Sequence, residues 1–97
     1  MQAIKNAHAG TLESSDAFVQ VFPISGDNIE IELESSVEEI YGDTIRELIM
    51  SILKNMNISN VRIVVQDKGA LDFVIKARIQ TALLRASGAN EPEWSLL

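Results

Sequence analysis

The turn-type segment Glu13-Ser14-Ser15-Asp16 carries the side chains with the clearest chemical potential in the sequence. Its two hydroxyls could act as nucleophiles or accept a covalent group, and a carboxylate flanks them on each side. Serine and aspartate side chains also bond to nearby backbone groups, so the ordinary interpretation is a turn between two strands. The functional alternative is an attachment point, because a hydroxyl at the tip of a hairpin is accessible to a modifying enzyme without disturbance of the core.

The other residues argue against an enzyme that acts alone. The sequence has no cysteine and one histidine, His8, near the N-terminus. A serine, a histidine and several aspartates are present, but nothing in their spacing indicates a catalytic triad. The glycine of Asp67-Lys68-Gly69 is typical of a turn rather than of a phosphate-binding loop, and there is no pair of histidines or thiolates for a metal. We therefore expect no catalytic residue and no metal site, and any thiol chemistry requires a cofactor.

Length and charge set the class of protein. The chain has 97 residues and a net charge of −6, which suits one domain. Acidic residues dominate from Glu13 to Glu47; this argues against nucleic acid and suits a basic protein surface, although a solvated acidic face is the simpler explanation. No apolar run approaches the ~20 residues that span a bilayer, and no signal-peptide pattern is present. We expect a cytoplasmic unit with one domain at residues 1–88 and a loose tail at residues 89–97.

The first third of the sequence has the patterns of β-strands. Ala17–Phe22 is β-branched and aromatic, and Asn28–Glu34 alternates strictly between apolar and acidic residues, which is typical of a half-buried strand. His8–Glu13 is a weaker candidate, and Ser14-Ser15-Asp16 would connect it to the second strand. With Pro23–Asp27 as the next turn, these segments predict a three-stranded meander.

A helix is predicted after the third strand. Ser36 and Glu39 form a capping-box pattern, in which each side chain bonds to the backbone N–H of the other residue. An apolar stripe that includes Ile40 and Tyr41 continues to about Met56, and its spacing predicts one amphipathic helix.

The remainder of the sequence adds one strand and one helix. Val61–Gln66 is strongly β-prone. A second amphipathic helix is predicted from about Ala70 to Ser87, with Leu71 among its buried residues and Gly88 at its C-terminal end. The order β-β-β-α-β-α, with both helices on one face of a four-stranded sheet, predicts an α+β two-layer sandwich. The third strand, first helix and fourth strand can form a right-handed crossover.

Three blocks of the sequence resemble the acyl carrier (gamma) subunit of citrate lyase. They are Gly10-Thr11-Leu12-Glu13-Ser14-Ser15-Asp16; then Ser35-Ser36-Val37-Glu38-Glu39 with Tyr41-Gly42-Asp43 and Ile45-Arg46; and then Asp67-Lys68-Gly69-Ala70-Leu71-Asp72 with Lys76-Ala77-Arg78 and Leu83-Leu84-Arg85-Ala86. The blocks occur in the family order and cover almost the whole chain. Three co-ordered blocks are far more specific than a lone motif.

The resemblance implies that residues 1–88 are an acyl-carrier domain and that Ser14 carries phosphoribosyl-dephospho-coenzyme A through a phosphodiester, with Ser15 as the less favoured position. The arm ends in a thiol, which holds acetyl and citryl groups while citrate is cleaved to oxaloacetate and acetate. The implied partners are the alpha subunit (an acyl transferase), the beta subunit (a citryl lyase) and a prosthetic-group transferase. The chain is then a non-catalytic subunit of a lyase complex, and its lack of cysteine is compatible with that role, because the working thiol belongs to the prosthetic group.

Other interpretations stay open. The acyl carrier subunit of malonate decarboxylase uses a similar prosthetic group on a similar small protein, although the turn around Ser14 resembles the citrate lyase carrier better. An unmodified acidic interaction module is an alternative from a different class, and a hydrolase that uses Ser14 and His8 is a third. Glu13 and Asp16 would mildly repel an anionic phosphodiester, and we expect them to direct the arm outward or to face a basic partner.

Overall fold

The computed structural model describes residues 2–36 and 38–88, and the side chains of all of these except residues 38 and 39. The elements are β1 (Ala7–Gly10), β2 (Ala17–Pro23), β3 (Ile29–Ser35), α1 (Glu38–Asn55), β4 (Val61–Asp67) and α2 (Asp72–Ala86). The predicted order β-β-β-α-β-α is confirmed. The predicted capping box, which depends on the Glu39 side chain, and the predicted tail at residues 89–97 lie outside the described residues.

The four strands form one sheet in the order β1-β2-β4-β3. β1 and β2 are antiparallel, β2 and β4 are antiparallel, and β3 and β4 are parallel. The predicted meander is therefore wrong in one pairing, because β4 lies between β2 and β3. The helix α1 makes the crossover that a parallel pair requires.

Burial explains why β4 takes the central position. Its sequence, VRIVVQD, has a buried side chain at every second position, four in all and more than any other strand, and a central strand has neighbours on both sides. β3 carries a glutamate at every second position, and charged side chains suit an exposed edge. Two backbone hydrogen bonds fix the arrangement: the Ile24 N–H donates to the Asn60 carbonyl at 3.0 Å, and the Val61 N–H donates to the Asn28 carbonyl at 3.1 Å.

The core lies between one face of the sheet and both helices. In β2 and β4 every second side chain is buried, and each helix contributes one buried stripe. The largest fully buried side chains are Ile49, Leu53, Ile63, Ile75, Ile79, Leu83, Val19, Val21, Val61, Val65 and Asp67. α2 packs against β1 and β2, and α1 packs against β3 and α2. The predicted two-layer α+β sandwich, with both helices on one face, is confirmed.

The boundaries differ from the prediction where a glycine or an asparagine turns the chain. β1 ends at Gly10 and not at Glu13, because Gly10 has φ +93° and leaves the extended conformation. Asn57 has φ +55° just beyond α1, and this left-handed conformation ends the helix. Gly88 has φ +87° and its N–H donates to the Arg85 carbonyl, which is the predicted C-terminal glycine of α2.

Three apolar side chains that the helical pattern predicts to be buried are exposed. Ile40 and Tyr41 in α1 are 75% and 55% exposed, and Leu71, just before α2, is 63% exposed. A pattern identifies an apolar stripe but does not say whether the same chain covers all of it. No helix among the described residues is long and apolar enough to cross a membrane.

Candidate attachment site on the β1–β2 loop

The candidate site is the loop between β1 and β2, at residues 11–16. The Asp16 N–H donates to the Glu13 carbonyl at 3.2 Å, which closes a tight turn with Ser14 and Ser15 at its two central positions. Ser15 has φ +66°, as the third residue of a type II turn requires. Both serines are exposed, and no hydrogen bond of the Ser14 hydroxyl occurs among the residues that the structure describes.

One carboxylate, that of Asp16, holds the base of this loop. It accepts two hydrogen bonds from the Arg78 guanidinium of α2, at 2.9 and 3.0 Å. It also accepts a bond of 2.7 Å from the Thr11 hydroxyl and one of 2.7 Å from the Ala17 N–H. Planar, bidentate pairing of this kind fixes orientation as well as distance, so α2 sets the position of the loop.

The same contacts change the acidity of Asp16. The Arg78 guanidinium, the Thr11 hydroxyl and the Ala17 N–H hold the pKa of the Asp16 carboxyl well below its usual range, in that order of importance. The expectation that Asp16 faces a basic partner is therefore wrong, because its charge is already paired within the chain. Glu13 remains exposed at the turn and is free to take the role expected of it.

Gly10 allows the chain to enter the loop. At φ +93°, a Cβ on this residue would stand 1.8 Å from the Ala17 carbonyl oxygen and 3.1 Å from Cδ of Arg78. Only glycine fits this approach of two backbone segments without a shift of the loop. The first residue of the first sequence block is thus required by the geometry of the site.

A second turn supports the loop from below. The Ser15 N–H donates to the Lys68 carbonyl, and the Lys68 N–H donates to the Asp16 carbonyl, both at 2.9 Å. The Asp67 carboxylate, 2% exposed, accepts bonds from the N–H groups of Gly69 at 3.1 Å and Ala70 at 2.8 Å, and from the Ser35 hydroxyl at 2.8 Å. Residues from all three sequence blocks therefore meet beneath Ser14.

His8 has no part in this arrangement. It lies in β1, where its ring centroid is 5.6 Å from that of Phe18, and its backbone carbonyl accepts a bond from Arg85. The structure brings no histidine to Ser14 within the described residues, so the hydrolase interpretation has no geometric support. Groups of three or more potential metal ligands are likewise absent from the described residues.

The sequence interpretation missed the residues that hold the loop. Arg78 and Lys68 stand inside the third block, but 62 residues separate Arg78 from Asp16. Nothing in the sequence alone pairs them. The sequence indicates only that Asp16, in the first block, and Arg78, in the third block, carry opposite charges.

The fold also occurs in a solved multi-subunit enzyme. A chain in the crystal structure of a Pseudomonas malonate decarboxylase hetero-tetramer in complex with malonate has a TM-score of 0.78 to this protein, with 19% sequence identity, over 87% of this chain and 86% of that one. At that identity the likeness concerns the fold. It shows that this architecture also occurs in a chain of that hetero-tetramer.

Sequence comparison identifies the family of the chain, which the structural likeness does not. The family model described as "ACP: Malonate decarboxylase delta subunit (MdcD)" matches residues 4–86. The citrate lyase acyl carrier protein of Yersinia enterocolitica is 43% identical over 94 residues, which cover 97% of each chain. Citrate lyase acyl carrier protein 2 of Salmonella typhimurium is 41% identical over 97 residues, the full length of both.

The chain therefore belongs to the acyl carrier protein family of citrate lyase and malonate decarboxylase. The predicted family is confirmed, and so is the prediction of a non-catalytic carrier subunit, since these relatives are named as carriers. Carriers of this family hold a covalently attached prosthetic group and work within a multi-subunit enzyme.

Proposed function

We propose that this protein is the acyl carrier subunit of citrate lyase and that Ser14 is the point at which its prosthetic group is attached. The observation that carries the proposal is the turn itself. Ser14 is exposed at the tip of a loop whose base is tied to α2 and to the β4–α2 turn. A group added there meets solvent and not the core, while the rigid base keeps the hydroxyl in one place for the attaching enzyme.

The residues present fit an arm of the phosphoribosyl-dephospho-coenzyme A class. The Ser14 oxygen is available to form a phosphodiester, and the chain has no cysteine of its own, so a thiol must come from the attached group. When bound, the group supplies that thiol as the point of acyl attachment. The role of this chain is to hold the arm at one exposed position, which makes successive encounters with the catalytic subunits effectively intramolecular.

The proposed partners are the citrate lyase alpha subunit, the beta subunit and a prosthetic-group transferase. The net charge of −6 and the exposed Glu13 beside the attachment point favour partner surfaces that are basic around the arm. The carrier supplies no acid, base or electrophile in this scheme.

Mass spectrometry of the chain from its native host tests the attachment. We expect an intact-mass adduct of the phosphoribosyl-dephospho-coenzyme A class, and fragmentation across residues 10–20 should place it on Ser14. Ser14→Ala should abolish the adduct. Ser15→Gly is the matched control, because φ +66° suits glycine, and it should be modified normally. An adduct that survives Ser14→Ala and disappears in Ser15→Gly would move the site to Ser15.

The carrier subunit of malonate decarboxylase is the second candidate function, because the family model carries that name and the fold matches at a TM-score of 0.78. Reconstitution decides between them. The modified chain should restore citrate cleavage to citrate lyase alpha and beta subunits. Restoration of malonate decarboxylation in place of citrate cleavage would assign it to the other complex.

A further inference from the structure

An open groove of about 660 Å³ lies beside the attachment loop. Its walls come from the first half of α1, from the β4–α2 turn and from the first turn of α2, and they include Tyr41, Ile45, Ala70, Leu71 and Phe73. The volume is within the range of ≈ 300–1,000 Å³ that small-molecule sites occupy. The groove is thus large enough for a flexible organic chain.

Three large apolar side chains at the groove are uncovered, beside the exposed carboxylate of Asp72. Tyr41 is 55% exposed, Leu71 is 63% exposed and Phe73 is 70% exposed. Two of these, Tyr41 and Leu71, belong to the stripes that the helical pattern predicts to be buried. Large apolar side chains gathered around a concavity are typical of a ligand or interaction site, whereas single exposed apolar residues are ordinary.

The groove is continuous with the Ser14 loop. Asp67 and Gly69, which both line the groove, flank Lys68. Lys68 is the residue whose backbone bonds in both directions to Ser15 and Asp16 at 2.9 Å. From these bonds and standard backbone lengths, the Ser14 Cα lies within about 8 Å of the Gly69 nitrogen at the groove wall.

We propose that this groove is an intramolecular binding site for the apolar part of the arm attached to Ser14; the inference rests on the proposed function. An arm of the coenzyme A class carries two geminal methyl groups and methylene segments between its amides, which suit an apolar wall. Because the arm is tethered, its effective concentration at the groove is in the millimolar range. Weak apolar contacts are then sufficient to keep a substantial fraction of arms folded back onto the carrier between encounters.

Tethering favours the arm over a partner protein as the occupant. A specific protein interface buries about 800 Å² of the surface of each partner, whereas the groove is a single concavity whose wall at Gly69 lies within about 8 Å of the Ser14 Cα. A partner that also enters it would have to displace the arm, which makes arm release and docking one event.

Nuclear Overhauser contacts test the proposal directly. Apo chain labelled with ¹³C and ¹⁵N is loaded with unlabelled arm by the transferase, and isotope-filtered spectra are recorded on the modified chain. We expect contacts between the geminal methyl protons of the arm and the methyl groups of Ile45 and Leu71. Phe73→Gln should weaken them, while Met50→Gln should not, since Met50 is also an exposed apolar residue of the helical layer, 45% exposed, but does not line the groove.

Thiol reactivity gives a second readout. The chain has no cysteine, so every thiol that a colorimetric disulfide reagent detects belongs to the arm. In Phe73→Gln the thiol should react up to about twofold faster than in the Met50→Gln control, because a half-occupied groove protects it for half of the time.

The outcomes separate the two proposals. If no thiol and no adduct are found, the proposed function fails. If the arm is present but shows no contact with Ile45 or Leu71, and Phe73→Gln leaves its reactivity unchanged, the groove proposal is overturned while the carrier role stands. Groove methyl shifts that appear only when the alpha or beta subunit is added would assign the groove to the partner and would also overturn the proposal.

Discussion

Two turns of this protein are each organised by one aspartate, and they differ in how that aspartate is satisfied. Asp16, in the attachment loop, is paired with the cation of Arg78, and its side chain is 14% exposed. Asp67, in the β4–α2 turn, is 2% exposed and accepts bonds from two backbone N–H groups and a serine hydroxyl. The attachment loop is therefore held by an ion pair near solvent, and the turn beneath it by neutral donors in the interior.

The difference suggests a division of labour. Buried hydrogen bonds to a carboxylate make a turn part of the core, since loss of the acceptor leaves several donors unpaired. An ion pair near the surface contributes less to stability, because water competes for both charges, but it fixes orientation. The β4–α2 turn therefore contributes stability, and the attachment loop holds Ser14 in a fixed orientation.

Asp67→Ala should have the largest effect on the free energy of unfolding. It removes the acceptor of the Gly69 and Ala70 N–H groups and of one hydrogen bond from the Ser35 hydroxyl, at a cost of about 3 kcal/mol. Urea denaturation measures the difference. Asp43→Ala, an exposed aspartate in α1, is the control and should stay within about 0.5 kcal/mol of the wild type. An equal loss of unfolding free energy in Asp67→Ala and Asp43→Ala would contradict the stabilising role of the β4–α2 turn.

Gly10→Ala should have the second largest effect and should lower the free energy of unfolding by about 2 kcal/mol. The new Cβ would stand 1.8 Å from the Ala17 carbonyl oxygen at a backbone φ of +93°, so strain and a forced shift add together. The same urea titration measures it. Gly69→Ala is the matched control: its φ is +87°, but nothing lies within 4 Å of the added Cβ, so it should cost distinctly less. An equal cost would show that the clash at Ala17 does not matter.

Arg78→Met should have a smaller effect on stability and a larger one on the modification of Ser14. It keeps the aliphatic stem of the side chain but frees the Asp16 carboxylate, so the loop loses its fixed orientation. The rate at which the transferase loads the arm should fall by roughly tenfold, as a tenfold rate change corresponds to a modest loss of positioning energy. Arg85→Met, another arginine of α2, is the control. Unchanged loading of Arg78→Met would contradict a positioning role.

The pH dependence of the same variant sharpens the comparison further. The pKa of Asp16 is lowered in the folded protein, mainly by Arg78, so this ion pair contributes stability that is fully present above the unfolded-state value near 4 and is lost as the pH falls through the lower folded-state pKa. The difference in unfolding midpoint between wild type and Arg78→Met should be constant from pH 8 to pH 5 and should shrink below pH 4. A difference that grows on acidification would reject the assigned ion pair.

The smallest effect is expected at Ser15. Its φ of +66° is unfavourable for a residue with a Cβ, and Ser15→Gly should relieve this strain at the expense of greater freedom in the unfolded chain. We expect a net stabilisation of about 0.5 kcal/mol. Thermal unfolding measures it, with Ser14→Gly as the control that should bring no gain. A loss of stability in Ser15→Gly would mean that its side chain contributes more than its backbone costs.

The sequence was sufficient to predict the elements and the position of the candidate site. Alternation in β3 identified an exposed strand face, and the composition of residues 13–16 identified the turn that carries Ser14. Both are local properties, because each depends only on residues that are close together in the sequence. The attachment of a group to Ser14 stays a prediction, since it rests on likeness to a family.

The sequence was not sufficient where distant segments meet. The insertion of β4 between β2 and β3 depends on which strand gains most from two neighbours, and the Asp16–Arg78 pair spans 62 residues. The exposure of Tyr41 and Leu71 also escaped prediction, because amphipathic spacing describes a stripe and not what covers it. These are properties of the assembled sheet and helices.

The central position of β4 has a consequence for the order of events during synthesis. β2 and β3 leave the ribosome first, but they do not pair with each other, and the strand that joins them begins only at Val61. A nascent chain that ends before this residue has two flanking strands without a common neighbour. Arg78, which pairs with Asp16 at the base of the Ser14 loop, is synthesised later still. Recognition of the finished loop is therefore a post-translational event, available only to nearly complete chains.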